Sequence, residues 1–328
     1  MSIFAMKKHL KDVFDSILST PNKFSLLVSE LHGKSIKVNY GGVIAWYYNG
    51  VLHREGGPAY IEGDYHKEWW YKGKLHRENG PAIEDSGLEE WYLYGNKFYE
   101  KIVCDSGRVI ETYYDEQGNL HNDIGPSRIS SCGCEEWYKH GIPHRDDDKP
   151  AYTTCSNHGG SRKWFVDGEV HRENGPAIIS EIDKKDKGIY HYQEKWIRNG
   201  VEHRDSGPAC IEIFKTSRKI DRKKTEVFKK EVIWLKDGVI HREDGPAYIS
   251  YLNGLIEYEE YSLRGMLHNS VGPAQIWYKN QYSREDPHVE FYINDNRVNL
   301  EAFTKRLERR MGIPHVIQRT ETTNNRSA

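Results

Sequence analysis

Nine copies of one short motif are spread along this 328-residue chain, and they constrain its fold more than any other feature. The clearest copies read WYYNGVLHREGGPAYIE (46–62), WWYKGKLHRENGPAIE (69–84), WFVDGEVHRENGPAIIS (164–180), WIRNGVEHRDSGPACIE (196–212) and WLKDGVIHREDGPAYIS (234–250). Weaker copies begin at Tyr114, Trp137 and Tyr261, and a degenerate one at Trp91 has Phe98 and Tyr99 in place of His-Arg. The turn glycines are Gly50, Gly73, Gly95, Gly118, Gly141, Gly168, Gly200, Gly238 and Gly265, spaced 22 to 38 residues apart. Seven of the nine tryptophans stand four residues before these glycines, and eight of the twelve prolines share one further slot. A repeat this small cannot bury a face alone and must stack on its neighbours.

Each repeat reads as a β-hairpin. After the proline, Ala and Ile sit two apart, as in Ala177/Ile179 and Ala209/Ile211, which puts both on one face of a strand. Asn-Gly or Asp-Gly at 49–50, 167–168, 199–200 and 237–238 supplies a turn that tolerates positive φ. The expected fold is all-β: an elongated solenoid or sheet of about nine stacked hairpins with short helical caps at both ends. The boundaries are a helical cap over 1–40, the array over 41–298 with a decayed tenth repeat, a helix over 299–312 and a disordered tail over 313–328. Phe4, Leu10, Val13, Phe14, Ile17 and Leu18 carry the first cap at helical spacing; Asn299 and Gly312 bound the second. The longest repeats grow in the turn between their two strands, at 181–195 and 212–232.

Composition narrows the function classes. Only 37% of residues are hydrophobic against 29% charged, which is thin for one large globular core, while 12% aromatics and 29 glycines favour β structure. A net charge of −2 argues against wholesale binding to nucleic acid or anionic membrane. No apolar run is long enough for a membrane-spanning helix, and the first residues, MSIFAMKKHLKD, lack a signal-peptide core. Five cysteines are odd in number and too sparse for a disulfide framework, so a reducing, cytoplasmic setting is expected.

In period and expected fold the repeat resembles MORN-type repeats. The full W-x3-G-x2-H-R-E-x-G-P-A pattern looks more like repeats found in proteins of tailed phages and large DNA viruses, over about residues 41–280. The resemblance implies a β-hairpin repeat fold and a viral or phage accessory protein acting in the host cytoplasm, counter-defence included. It implies no catalytic residues.

Three sets of residues could carry binding. The first is the His-Arg column, with His171, Arg172, His203, Arg204, His241 and Arg242 as its best-kept members. Arg can fork onto phosphate and rings can stack bases, so the column could hold a nucleotide. Each arginine also precedes an acid, so neighbouring repeats could instead pair these charges across the stack, and a feature present in every repeat favours that structural role. The second set is basic, with Lys215, Arg218, Lys219, Arg222, Lys223 and Lys224 in the longest insert facing an acidic partner or, less in keeping with its few rings, nucleic acid. The third is Cys132, Cys134, Cys155 and His158, a donor set for structural zinc if stacking brings the two turns together. The tight Cys-x-Cys spacing favours two cysteine-bearing turns without metal, and no other cofactor is expected. Asp146, Asp147 and Asp148 read as a repeat turn one residue longer than the rest.

No nucleophile elbow, phosphate-binding loop, zinc-protease helix or dinucleotide fingerprint is present. The expectation is therefore a non-enzymatic scaffold that binds a host or viral macromolecule through its variable turns and inserts. A sponge for a host nucleotide signal and a structural virion component are the alternatives.

Overall fold

The computed structural model describes residues 33–220, 223–279 and 286–312, and only the backbone of residues 40, 158, 218–220 and 223–225. The helix expected within 4–18 and the tail at 313–328 lie outside the described residues. Among those described, the chain is mostly β, with 34 strands and one α-helix. It divides into two compact units, Met1–Pro143 and His144–Ala328.

Each unit is built on an antiparallel meander. In the first, the ladder runs from Ser35–Tyr40 through Val43–Tyr48, Tyr60–Glu62, His66–Glu68, Ile83–Asp85, Leu88–Leu93, Asn96–Val103, Val109–Tyr113 and Arg128–Ser130 to Glu135–Glu136. In the second, it runs from Tyr152–Thr153 through Arg162–Lys163, Ile178–Lys184, Ile189–Lys195, Cys210–Ile220, Lys223–Ile233, Tyr248–Leu252, Leu255–Glu260 and Gln275–Trp277 to His288–Ile293. The repeats that lengthened in sequence lengthen these ladder strands, to 7 residues a side at Ile178–Lys184 with Ile189–Lys195 and to 11 a side at Cys210–Ile220 with Lys223–Ile233.

A second, shorter hairpin branches from the ladder in most repeats, two residues a side, as in Trp70–Tyr71 with Lys74–Leu75 and Ile197–Arg198 with Val201–Glu202. Its two turn residues both have positive φ, for example 49° at Asn199 and 73° at Gly200. That is the type I′ geometry, whose twist matches a tight antiparallel pair. Lys72, Tyr94, His140 and Arg264 take the same left-handed conformation with φ between 47° and 53°, although Lys, Tyr and Arg are not residue types that favour it.

The His-Arg-acid-x-Gly-Pro segment is the step that returns the chain from the short hairpin to the ladder. At its end stands an alanine with no exposed surface: Ala59, Ala82, Ala151, Ala177, Ala209, Ala247 and Ala274 are all 0% exposed. Each of these alanines outside repeat five is bonded on both sides; the Ala177 carbonyl accepts from Trp164 N–H and its own N–H donates to the Lys195 carbonyl, at 2.9 and 2.8 Å. Repeat four has Ser127 in this slot, also fully buried, and its hydroxyl is satisfied by the Tyr138 backbone at 3.0 and 3.1 Å. Repeat three lacks the step sequence, and its chain runs straight on as Asn96–Val103, with a bulge between Lys97 and Tyr99 and no separate short hairpin.

The helix Leu300–Met311, α1, follows the last strands. The Asn299 side chain accepts from Ala302 N–H at 2.8 Å at its start, and Gly312 closes it with φ 68°. Buried Phe303 fixes α1 to the sheet, its ring 4.7 Å from that of Phe291. Among the described residues no helix is long and apolar enough to cross a membrane.

The alanine slots are sealed from solvent, so added methylenes would have to displace packed neighbours. Ala177→Leu is expected to destabilise the chain by about 1–3 kcal/mol through overpacking, read as a lower urea midpoint by tryptophan fluorescence. An unchanged midpoint would show that the slot can open.

Candidate functional site

The histidines of the repeated column join one repeat to the next. In seven repeats Nδ1 accepts a hydrogen bond from the backbone N–H of the first turn residue of the following repeat. The pairs are His53 with Lys72, His76 with Tyr94, His121 with His140, His144 with Asp167, His171 with Asn199, His203 with Asp237 and His241 with Arg264, at 3.0–3.3 Å. A nitrogen that accepts from N–H carries no proton, which places a neutral ring's proton on Nε2; at His203, Nδ1 also lies 2.9 Å from the Asp237 carboxylate, a contact that the ring's other tautomer would serve. Nε2 faces the acid two residues on, closest at His203 with Asp205 (2.9 Å) and His144 with Asp146 (3.0 Å), and most distant at His53 with Glu55 and His76 with Glu78 (4.0 Å). The acid after the arginine thus answers the histidine of its own repeat. The expected pairing of arginine with an acid of the neighbouring repeat is seen at Arg172, which reaches Asp148 in the acidic turn of the repeat before it.

The arginines brace their own repeat. Arg54, Arg77, Arg172, Arg204 and Arg242 each lie over the indole of the tryptophan that opens their repeat, with the guanidinium carbon 3.7–4.1 Å from the ring centroid. Nη1 then donates to the carbonyl of the slot proline, as in Arg77 to Pro81 at 2.9 Å and Arg204 to Pro208 at 3.0 Å. Where the sequence has Asn instead, the same carbonyl is still capped: Asn122 donates to Pro126 at 3.1 Å and Asn269 to Pro273 at 2.8 Å. The requirement at this position is a donor for the proline carbonyl; the positive charge and the indole stack are added to it.

Of the residues singled out for ligand binding, His171, His203 and His241 hold the turns of Asn199, Asp237 and Arg264. Arg172 stacks on Trp164 and forks onto Asp148 through Nε and Nη2 at 2.8 and 3.0 Å. That fork holds the Asp148 carboxyl below its usual range. The Asp148 carbonyl also accepts from the Trp164 indole N–H at 2.9 Å, so the extra residue of this acidic turn ties it to the following repeat. Arg242 stacks on Trp234 and reaches Asp244 at 2.8 Å.

In the basic hairpin Lys215 pairs with Glu226 across the strands at 2.9 Å. The side chains of Arg218, Lys219, Arg222, Lys223 and Lys224 lie outside the described residues. Of the zinc set, Cys132 and Cys134 sit on one turn with their sulfurs 3.4 Å apart. Cys155 precedes the short 3-10 helix Ser156–His158 in the second unit, and the His158 side chain is outside the described residues.

One titratable cluster has no counterpart in the repeat. His66, 8% exposed, has Nε2 2.9 Å from Glu68 and Nδ1 3.0 Å from Asp85. Sequence reasoning missed it because His66 falls outside the repeated slot; the His-x-Glu alternation at 66–68 was its only local signal. The Glu68 hydrogen bond, opposed by burial and aided by Asp85, raises its pKa.

No family model matches the chain, and no curated protein matches it.

Two outcomes follow from these contacts. Arg204→Ala is expected to cost roughly 1–2 kcal/mol, for the indole stack and the carbonyl bond together. Arg204→Asn, which restores the bond found in repeats four and nine, should cost less. Equal losses in urea denaturation would show that the proline carbonyl is unimportant. His66 should titrate above the ordinary histidine value, about 6.5, in an NMR pH series. Since its folded pKa is raised, the stability it contributes is complete below the unfolded pKa and is lost as pH rises through the folded one. An apparent pKa at or below the ordinary value would overturn the pairing of His66 with Glu68 and Asp85.

Proposed function

We propose that this chain is a non-enzymatic repeat scaffold, an accessory protein of a phage or large DNA virus, that binds an acidic macromolecular partner in the host cytoplasm. The nine repeats, in this reading, act as a solenoid whose common parts build the frame and whose unequal parts give it identity. The observation that supports it is the division of labour among polar side chains. The histidines and arginines that recur are engaged in turn, proline and indole contacts within the array. What differs between repeats is the length of the ladder hairpins, greatest at Cys210–Ile220 with Lys223–Ile233, where the sequence is also most basic. Extended repeat surfaces bind through such unrepeated features, and a cationic hairpin selects an acidic partner in a salt-dependent manner.

Ile213 and Lys230 face each other across this hairpin, so residues 214–229 can be replaced by Asn-Gly without shifting the register that remains. The shortened chain is expected to keep its thermal midpoint and to lose a partner recovered by affinity capture, identified by mass spectrometry and rebound in purified form. Undiminished rebinding of that partner would refute the assignment of the hairpin.

A further inference from the structure

The ninth repeat breaks the histidine pattern in a way that the scaffold does not need. In the seven repeats with a stapling histidine, an acid stands two residues after it. After His268 the corresponding residue is Ser270, and Nδ1 meets the Asn294 side-chain oxygen at 2.7 Å instead of a backbone N–H. His268 and Ser270 line a cavity of about 610 Å³ between this repeat and α1, together with Ile293, Phe303, Leu307 and three arginines, Arg306, Arg309 and Arg310. No acidic side chain is among its lining residues.

We propose that this cavity binds an organic phosphate monoester, with the phosphate on the arginines, His268 and Ser270 and an attached apolar or flat group against Ile293, Phe303 and Leu307. Three guanidinium groups and a hydroxyl form a donor set suited to a dianion, because each offers N–H or O–H and the guanidinium forks match phosphate oxygens; His268, whose Nδ1 proton is given to Asn294, adds an Nε2–H donor in its imidazolium form, which the dianion favours. The volume falls within the range of small-molecule sites, roughly 300–1,000 Å³, and far exceeds what a bare phosphate fills. The apolar residues on one side supply the rest of the recognition.

A simpler role for the arginines is to offset the partial negative charge at the C-terminal end of α1. That accounts for Arg309 and Arg310 in the last turn. It does not account for Arg306, a turn earlier, nor for the loss of the acid beside His268. An aspartate at 270 would place a carboxylate where the anion is to sit, so its absence and the three arginines point the same way.

Calorimetry on the full chain at low salt, with AMP, inorganic phosphate and adenosine as probes, tests the site independently of any macromolecular partner. Saturable AMP binding, weaker binding of inorganic phosphate and none of adenosine is expected. Ser270→Asp, which rebuilds the acid of the other repeats, should weaken AMP by roughly tenfold or more, the worth of one charge-assisted contact, and Arg306→Ala should do likewise. Arg264→Ala, on the short-hairpin turn and outside the cavity lining, is the control and should leave affinity unchanged. The proposal is overturned if no probe saturates, if inorganic phosphate binds as tightly as AMP, or if Ser270→Asp and Arg306→Ala bind AMP like the unaltered chain with their thermal midpoints intact.

Discussion

An imidazole nitrogen accepting a backbone N–H from the next repeat is the contact on which the rest of this architecture depends. The ladders are thin, and among the described residues the side chains with no exposed surface are those of seven alanines and one serine. Such a sheet has little apolar depth from which to draw stability, so its order must come from contacts that fix one repeat against the next. The Nδ1 bond does this at the point where the following chain makes its tightest turn. It holds that turn's first residue in the left-handed region, which explains how Lys72, Tyr94 and Arg264 occupy a conformation usually left to Gly, Asn, Asp or His.

The other recurrent groups complete the same task. The guanidinium spans two features of its own repeat, the opening indole and the proline carbonyl, and so closes the step that brings the chain back to the ladder. The alanine that follows enters a slot bonded on both edges, where a side chain larger than serine has no space. His, Arg, Pro and Ala are therefore parts of one device, and repeat three shows its effect by omission. With Phe98 and Tyr99 in the slots, the chain continues as a strand.

Much of this was legible in the sequence because the signals are local. The turn glycines, the Ala and Ile alternation and the lengthened inserts mark the hairpins, and Asn299 and Gly312 bracket the helix that carries Phe303. The side-chain roles were not legible, for a physical reason. His53 meets Lys72 at a separation of 19 residues and His203 meets Asp237 at 34, so the partner is set by how far each insert extends the ladder, which no motif records. The alternation of charges suggested arginine with an acid of the neighbouring repeat, whereas the acid after each arginine faces the histidine of its own repeat. Asp148, His66 and the cavity beside α1 depend on single departures from the repeat, and a consensus conceals departures.

The histidine bond also has a direction. Each histidine precedes in the chain the turn it holds, and, except in repeat one and in repeat four, which follows the repeat without the histidine, its own turn is held by the repeat before it. Asn49, at the start of the series, has its side chain bonded to Gly33 N–H at 2.8 Å instead. A chain leaving the ribosome amino end first therefore always exposes the template before the segment to be shaped by it. Within each compact unit, synthesis order and assembly order coincide, and a nascent array can be completed one repeat at a time without waiting for its carboxyl end.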